Sequence, residues 1–363
     1  MSNKTSQMWR YDKHMSIQGA PLKGIKWLDS KKKPLVVSGF AWFSKDKIYR
    51  RLPVKPDWSI PEAVDGLADC TAGGQIRFRT DSKRVAIRVL LMGPAGMVHM
   101  PATGECGFDC YFGAPGKKLF LSTTKYDHTK VSYEFLFYEV IKKKMQNFTL
   151  NFPLYKGVKA VLVGVDNGSK VLLPLPYKND KKIIAYGTSI THGGCAARPG
   201  MAYTNILSRR FNQEFINLGF SGNGKGEPEL AMLINQIENP ACIILDYEAN
   251  SVSTEQYKKT LPVFIRILRN KNPKVPILVI SQLCFARENQ NDSYKSRLER
   301  LKNQKETIVE FKKQGDKNLY FLDGSTLLGK DFDECTVDGV HPTDLGFMRM
   351  ADKIEPVLKK ILR

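Results

Sequence analysis

Ser189, Asp338 and His341 are the residues of this chain whose types could together do covalent chemistry. Ser189 follows an apolar run in "IIAYGTSITHGGCAARPG", residues 183–200, directly after Gly187 and Thr188. Asp338 and His341 stand three residues apart in "CTVDGVHPTDLGF", a loop bounded by Gly339 and Pro342. Serine, aspartate and histidine can run acyl transfer: the hydroxyl attacks, the imidazole takes and returns a proton, and the carboxylate holds the imidazole tautomer. Two further positions could stabilise the developing oxyanion beside the Ser189 backbone N–H. They are the backbone N–H of Gly222 in "GFSGNGKGEPE" and the side-chain amide of Asn250 in "DYEANS". The segment after Ser189 is expected to open a helix whose positive end points at the same oxygen.

Singly, each residue has an ordinary structural reading. Ser189 could be an N-cap, His341 a helix-entry histidine, and Asp338 and Asn250 turn residues. Their joint placement at strand ends favours a site. His192 lies three residues past Ser189 and reads as pocket lining or surface, not as the base. Arg198 reads either as a substrate contact or as a loop tie, and Glu248 stays open between roles; with His192 they are the candidates for substrate binding. His14, His99 and His128 lie in the other half of the chain and carry no assigned role. No G-x-S-x-G elbow is present, which argues against an α/β-hydrolase.

The elements that must position these residues fall into two rhythms. "QIRFRT" and "RVAIRVLL" alternate apolar and polar side chains, the period of half-buried strands. "NFTLNF" and "KAVLVGV" add more strands, and Asn167-Gly168 predicts a hairpin turn. Many short strands with close turns predict a β-sandwich, jelly-roll-like, over residues 1–175. Prolines and charges cluster in "LPLPYKNDKK", residues 173–182, and mark the boundary. From residue 181 to 363 apolar strands ("KIIAYG", "EFINLGF", "CIILDY", "PILVISQL", "LYFLDG") alternate with stretches of helical period. That pattern predicts a parallel sheet with right-handed crossovers, whose chemistry sits at the carboxyl ends of the strands. Ser189, Gly222 and Asn250 follow the first, second and third of these strands.

Composition narrows the classes. The chain has 363 residues, 42% hydrophobic and 10% aromatic, as in an ordinary globular protein. The net charge of +20 is concentrated in the first half, but the lysines are dispersed rather than interleaved with aromatics, so no nucleic-acid partner is expected. No apolar run reaches the length of a membrane span. "MSNKTSQMWRYDKHMS" lacks the apolar core of a signal peptide, so the sequence reads as cytoplasmic, or as secreted or periplasmic if a leader was removed. Seven scattered cysteines read as reduced. Cys106, Cys110 and nearby His99 lack a second close-spaced ligand pair for zinc, so neither metal nor cofactor is expected.

The motifs resemble those of the SGNH (GDSL-like) hydrolase superfamily, whose four name residues would be Ser189, Gly222, Asn250 and His341. The likeness is to a branch reading "GTSITxGxxxxRPGMAY" at the nucleophile; this chain has "GTSITHGGCAARPGMAY", with "LGFSGNG" and "DGVHPTDLGFMRMAD" following in order. "RRLP" at 50–53 and "GFDCY" at 107–111 match signatures of that branch's N-terminal β domain. Many members carry Asp after the third-block Asn; here Ser251 stands there. The resemblance implies a flavodoxin-like three-layer α/β/α catalytic domain after the β domain. It further implies a serine esterase for small acyl esters, acetyl above all, on carbohydrates. Alternatives are a thioesterase or lysophospholipase of the same fold, and a carbohydrate-binding protein with a degenerate site.

Overall fold

The computed structural model describes residues 22–290 and 294–362. His14 and the N-terminal stretch read above for localisation lie outside the described residues.

The first half contributes β1 (Ile25–Asp29), β2 (Val36–Ser38), β3 (Gln75–Thr80), β4 (Arg84–Leu91), β5 (Asp109–Phe112), β6 (Leu119–Thr123), β7 (Ser132–Glu139), β8 (Gln146–Asn151), β9 (Val158–Asp166) and β10 (Val171–Leu172). Short helices α1 (Phe43–Asp46), α2 (Glu62–Ala68) and α3 (Ala102–Glu105) interrupt them. Two antiparallel sheets form, one in the order β1-β9-β4-β7 and the other β10-β3-β8-β5-β6 with β2 beside β3. Alternation decides which side chains face inward: Ile87 and Val163 from one sheet meet Phe78 and Phe148 from the other in a single apolar layer.

The Asn167-Gly168 turn is present, with Ser169 N–H donating to Asp166 O at 3.2 Å, but it does not close a hairpin. β9 pairs with β1 and β4, whereas β10 pairs with β3 in the opposite sheet. Asp166 is held by Arg84 and Ser82, and Lys170 O accepts from Thr80 Oγ1, so the turn hands the chain across the sandwich.

The second half contains β11 (Lys182–Gly187), α4 (Ser189–His192), α5 (Tyr203–Phe211), β12 (Glu214–Gly219), α6 (Pro228–Gln236), β13 (Pro240–Asp246), α7 (Thr254–Lys271), β14 (Ile277–Ile280), α8 (Lys295–Lys313), β15 (Leu319–Leu322) and α9 (Asp344–Ile361). The strands form one parallel sheet in the order β12-β11-β13-β14-β15, the flavodoxin-like 2-1-3-4-5 arrangement. Successive residues of one strand serve opposite layers. Ile183 and Ala185 pack with α5 and α9, while Ile184 and Tyr186 pack with α6 and α7. Phe347 and Met350 of α9 are core, as their spacing predicts.

The two halves are not loosely tethered. Leu52, Val64 and Ala68 join the apolar layer on one face of the parallel sheet, and Ala72, Met100 and Leu154 join the layer on the other. Arg51 is 1% exposed and bridges the halves: its guanidinium donates to the carbonyls of Leu67 and Cys70 in the first half and of Gly219 in the second, and lies over the Phe220 ring. Among the described residues no helix is long and apolar enough to cross a membrane.

Candidate active site

β11 pairs with β12 on one side and β13 on the other, so Gly187 lies level with Gly219 and Asp246. Strand order reverses here, and the crevice at such a point is where open α/β sheets bind ligands. The chain turns sharply after Gly187, where a Cβ would stand 2.0 Å from Thr191 Oγ1 and 2.5 Å from Asp246 O. Thr188 then caps α4, its Oγ1 accepting from Ile190 N–H at 3.2 Å, and Ser189 is the first helical residue. α4 is a single turn, ended by Gly193 at φ +104°. The helix expected after Ser189 is present but only one turn long, and four aligned peptides make only a small dipole.

The loop before α9 brings His341 to Ser189. Asp338 Oδ1 accepts from the backbone N–H groups of Val340 and His341 at 3.0 and 2.8 Å, and Oδ2 accepts from His341 Nδ1 at 2.7 Å. His341 Nε2 lies 2.9 Å from Ser189 Oγ. With Nδ1–H directed to the carboxylate, Nε2 carries the free lone pair that faces the Ser189 hydroxyl; the tautomer follows from the hydrogen-bond network. Burial alone would raise the Asp338 pKa, but the two N–H groups and the imidazole outweigh it and hold the carboxyl below its ordinary value. Asp338 is thus ionised wherever His341 needs a partner.

Gly222 and Asn250 approach from either side. Phe220 N–H donates to Gly187 O at 2.9 Å, fixing the loop after β12 to the end of β11. Gly222 sits at φ +69°, and a Cβ there would meet nothing within 4 Å, so this backbone borders open space. Asn250 Nδ2 donates to Phe220 O at 3.2 Å, which spends one of its two amide hydrogens and sets the plane of the other.

The three candidates for substrate binding have other occupations. His192 is 0% exposed: its Nε2 lies 2.7 Å from Leu154 O, and its ring stacks on Tyr155 at 4.0 Å with 7° between planes. It is neither surface nor pocket lining, because α4 ends too soon to swing it outward. Burial pushes its pKa well down, with the Arg51 charge adding to the effect, so the ring is neutral packing material. Arg198 is the loop tie of the two readings. Its Nη1 donates to Asp109 Oδ2 at 2.9 Å and Tyr111 Oη at 2.6 Å, and its guanidinium covers Phe120 at 3.7 Å. Glu248 is also buried, accepting from Gln282 N–H at 2.7 Å, Gln304 Nε2 at 2.8 Å and Arg300 Nε at 3.1 Å. No oxygen is left over for a ligand.

Other groups at the site carried no sequence signal. Tyr155 Oη donates to Ser189 O at 3.3 Å and lies 3.4 Å from Ser221 Oγ. Under the nucleophile turn, Asp246 accepts from Thr191 Oγ1 at 2.9 Å and Tyr203 Oη at 3.2 Å. His99, from the first half, places its ring 5.6 Å from that of His341, which corrects its dismissal on sequence grounds. Cys106 and Cys110 are buried in the sandwich core and take no part. A cavity of about 750 Å³ lies at the opposite, amino ends of the strands, lined by Lys178, Arg210 and Leu362 among others, so cavity size does not mark this site.

Two family descriptions match the chain. Residues 180–359 match the GDSL-like lipase/acylhydrolase family, and residues 25–171 match the N-terminus of SGNH-hydrolase-type esterases. A structure described as a GDSL-like lipase from Bacteroides ovatus is 31% identical, with a TM-score of 0.85 over 93% of this chain and 98% of that one. A salicylyl-acyltransferase from a tetracycline biosynthetic pathway is 19% identical, with a TM-score of 0.77 over 94% and 100%. A family two carbohydrate esterase from Clostridium thermocellum, in complex with cellohexaose, is 14% identical, with a TM-score of 0.57 over 80% and 93%. Among curated proteins, none matches.

Proposed function

We propose, from the premise that the chain belongs to the GDSL-like lipase/acylhydrolase family and is an esterase of that kind, that it removes small acyl groups, acetyl first, from carbohydrate esters. The observation that carries this reading is the hydrogen-bonded line Asp338–His341–Ser189 at the rim of an open crevice. As Ser189 Oγ bonds to the ester carbonyl carbon, its proton passes to His341 Nε2, and Asp338 stabilises the imidazolium. Charge on the carbonyl oxygen is met by the N–H groups of Ser189 and Gly222 and the remaining Asn250 amide hydrogen. His341 returns the proton to the leaving alcohol oxygen as its bond to carbon breaks, leaving Ser189 acylated. Water then repeats the sequence, its proton going to His341 and then to Ser189 Oγ as the acid departs.

The small-acyl preference is supported by what stands around Ser189. The Gly222 loop presents polar backbone at the crevice, where an added Cβ would meet nothing within 4 Å. Carbohydrate as the alcohol side is consistent with the fold shared with the cellohexaose-bound esterase. The test is turnover of p-nitrophenyl acetate against the octanoate ester, followed by mass spectrometry of acetylated oligosaccharides. Loss of 42-dalton acetyl increments (the mass difference of a ketene unit, roughly, per group released by ester hydrolysis) is expected. Preference for octanoate, with acetylated sugars untouched, would overturn the carbohydrate reading in favour of a lipid or thioester substrate.

A further inference from the structure

His99, Cys195 and His341 bring one ring nitrogen each and a thiol sulfur within 4.8 Å of one another, the one such group of potential metal ligands among the described residues. They come from three separate places: the loop after β4, the turn after α4 and the loop before α9. We propose that these three residues form a binding site for a soft or borderline divalent cation, zinc above all, and that the bound cation switches the esterase off. The site itself does not rest on the proposed activity; only its effect on turnover does.

The donor set selects the ion. Two imidazoles and a thiolate, with no carboxylate oxygen, suit zinc or copper and disfavour magnesium and calcium. His341 is already oriented as a zinc-binding histidine is, with Nδ1–H on a carboxylate, Asp338; its Nε2 faces Ser189 Oγ at 2.9 Å, and the cation would take the place of that hydroxyl. Cys195 is fixed by its backbone: it follows Gly193 and Gly194 at φ +73°, in a turn so close to His341 that a Cβ on Gly194 would meet its Cδ2 at 3.2 Å. Its thiol makes no hydrogen bond among the described residues, unlike that of Cys335, which donates to Leu328 O and Asp331 O. Tetrahedral zinc needs its ligand atoms about 3.3–3.6 Å apart, so the group must close by about an ångström. His99 is exposed and is the member free to make that movement. Three protein ligands leave the fourth position to water.

Cation binding displaces the Cys195 proton and takes the His341 Nε2 lone pair, which then cannot accept the proton of Ser189. The cation is therefore an inhibitor and not a cofactor.

The test uses the full chain. Cobalt(II) chloride is titrated in while thiolate-to-cobalt charge transfer is followed in the near ultraviolet, and zinc chloride inhibition of p-nitrophenyl acetate turnover is measured in parallel. One equivalent of cobalt with a charge-transfer band is expected, together with zinc inhibition that EDTA reverses. Cys195→Ser should abolish the band. His99→Ala, at an exposed position, should raise the zinc concentration for half-inhibition about 10–100-fold, read against the variant's own metal-free rate. A missing band, a band that survives Cys195→Ser, or equal zinc sensitivity in His99→Ala would overturn the site. Cobalt binding with its band in a protein that hydrolyses no ester would leave the site standing and refute the proposed function instead.

Discussion

Ser189 Oγ and His341 Nε2 stand 2.9 Å apart although 152 positions separate them in the chain. Ser189→Ala removes one oxygen and leaves the Thr188 cap intact, since Thr188 supplies the capping hydroxyl. Ester hydrolysis should fall by about 10⁴–10⁶-fold in kcat, with the melting temperature nearly unchanged. A fluorophosphonate should modify the wild type once, at Ser189, by intact mass and peptide mapping. Modification elsewhere, with Ser189 free, would remove it from the role of nucleophile.

Asn250 Nδ2 donates to Phe220 O, and the proposed oxyanion role falls to its second amide hydrogen. Asn250→Ala should lower kcat by about 10²–10³-fold with little change in KM, because the lost bond strengthens in the transition state. Ser251 carries a buried hydroxyl without a hydrogen-bond partner among the described residues, so Ser251→Ala should be mild. Steady-state kinetics on one acetyl ester decides between them. A crippled Ser251→Ala beside a near-normal Asn250→Ala would transfer the donor role to Ser251.

Asp246 offers a pH dependence of stability that is separable from catalysis. Burial pushes its pKa up to about 7 from 3.8, although Thr191 and Tyr203 pull the other way. The folded chain then holds a proton that the unfolded chain releases near pH 4, so stability falls as pH rises through that window and levels off above about 7. The loss is about 4 kcal/mol at most. Melting temperatures should drop between about pH 4 and 7 in the wild type and drop less in Asp246→Asn. Parallel curves for the two proteins would place the ionisation elsewhere.

The parallel sheet and the residues at its strand ends were legible because each is encoded locally; the strand order came from the family resemblance, since pairing order is not a local property. Buried strands read as apolar runs, and a strand-end serine, glycine and asparagine sit where the runs stop. What the sequence hid depends on distance in the fold. His192 looked available because its neighbours are polar and glycine-rich, but Gly193 ends the helix and Leu154 and Tyr155, 38 and 37 positions earlier, close over it. His99 looked idle because the half of the chain that carries it gave no sign of reaching the strand ends. The Asn167-Gly168 turn misled for a related reason: turn chemistry fixes a reversal of the chain, not the sheet in which the next strand pairs.

Arg51 provides the last test. Among the described residues its guanidinium has no carboxylate partner within hydrogen-bonding distance; three carbonyl oxygens and an aromatic face solvate it, and burial lowers its pKa to about 10. Arg51→Met would strand the carbonyls of Leu67, Cys70 and Gly219. Urea unfolding should show a loss of about 3 kcal/mol or more. Activity at low temperature should also fall, because Gly219 leads directly into the Gly222 loop. A variant as stable and as active as the wild type would show that water replaces the guanidinium at no cost.

The same arginine bears on how such a chain can be inherited. A residue of the first half completes the backbone of a strand that begins at Glu214. Recombination between relatives at the 173–182 boundary would pair a catalytic half with a foreign clamp. Only partners that both keep an arginine at this place, and the same loop geometry beyond Gly219, would yield a working hybrid. The stretch that looks like a linker in the sequence is therefore a poor place to exchange parts, because the contacts that hold the halves together do not run through it.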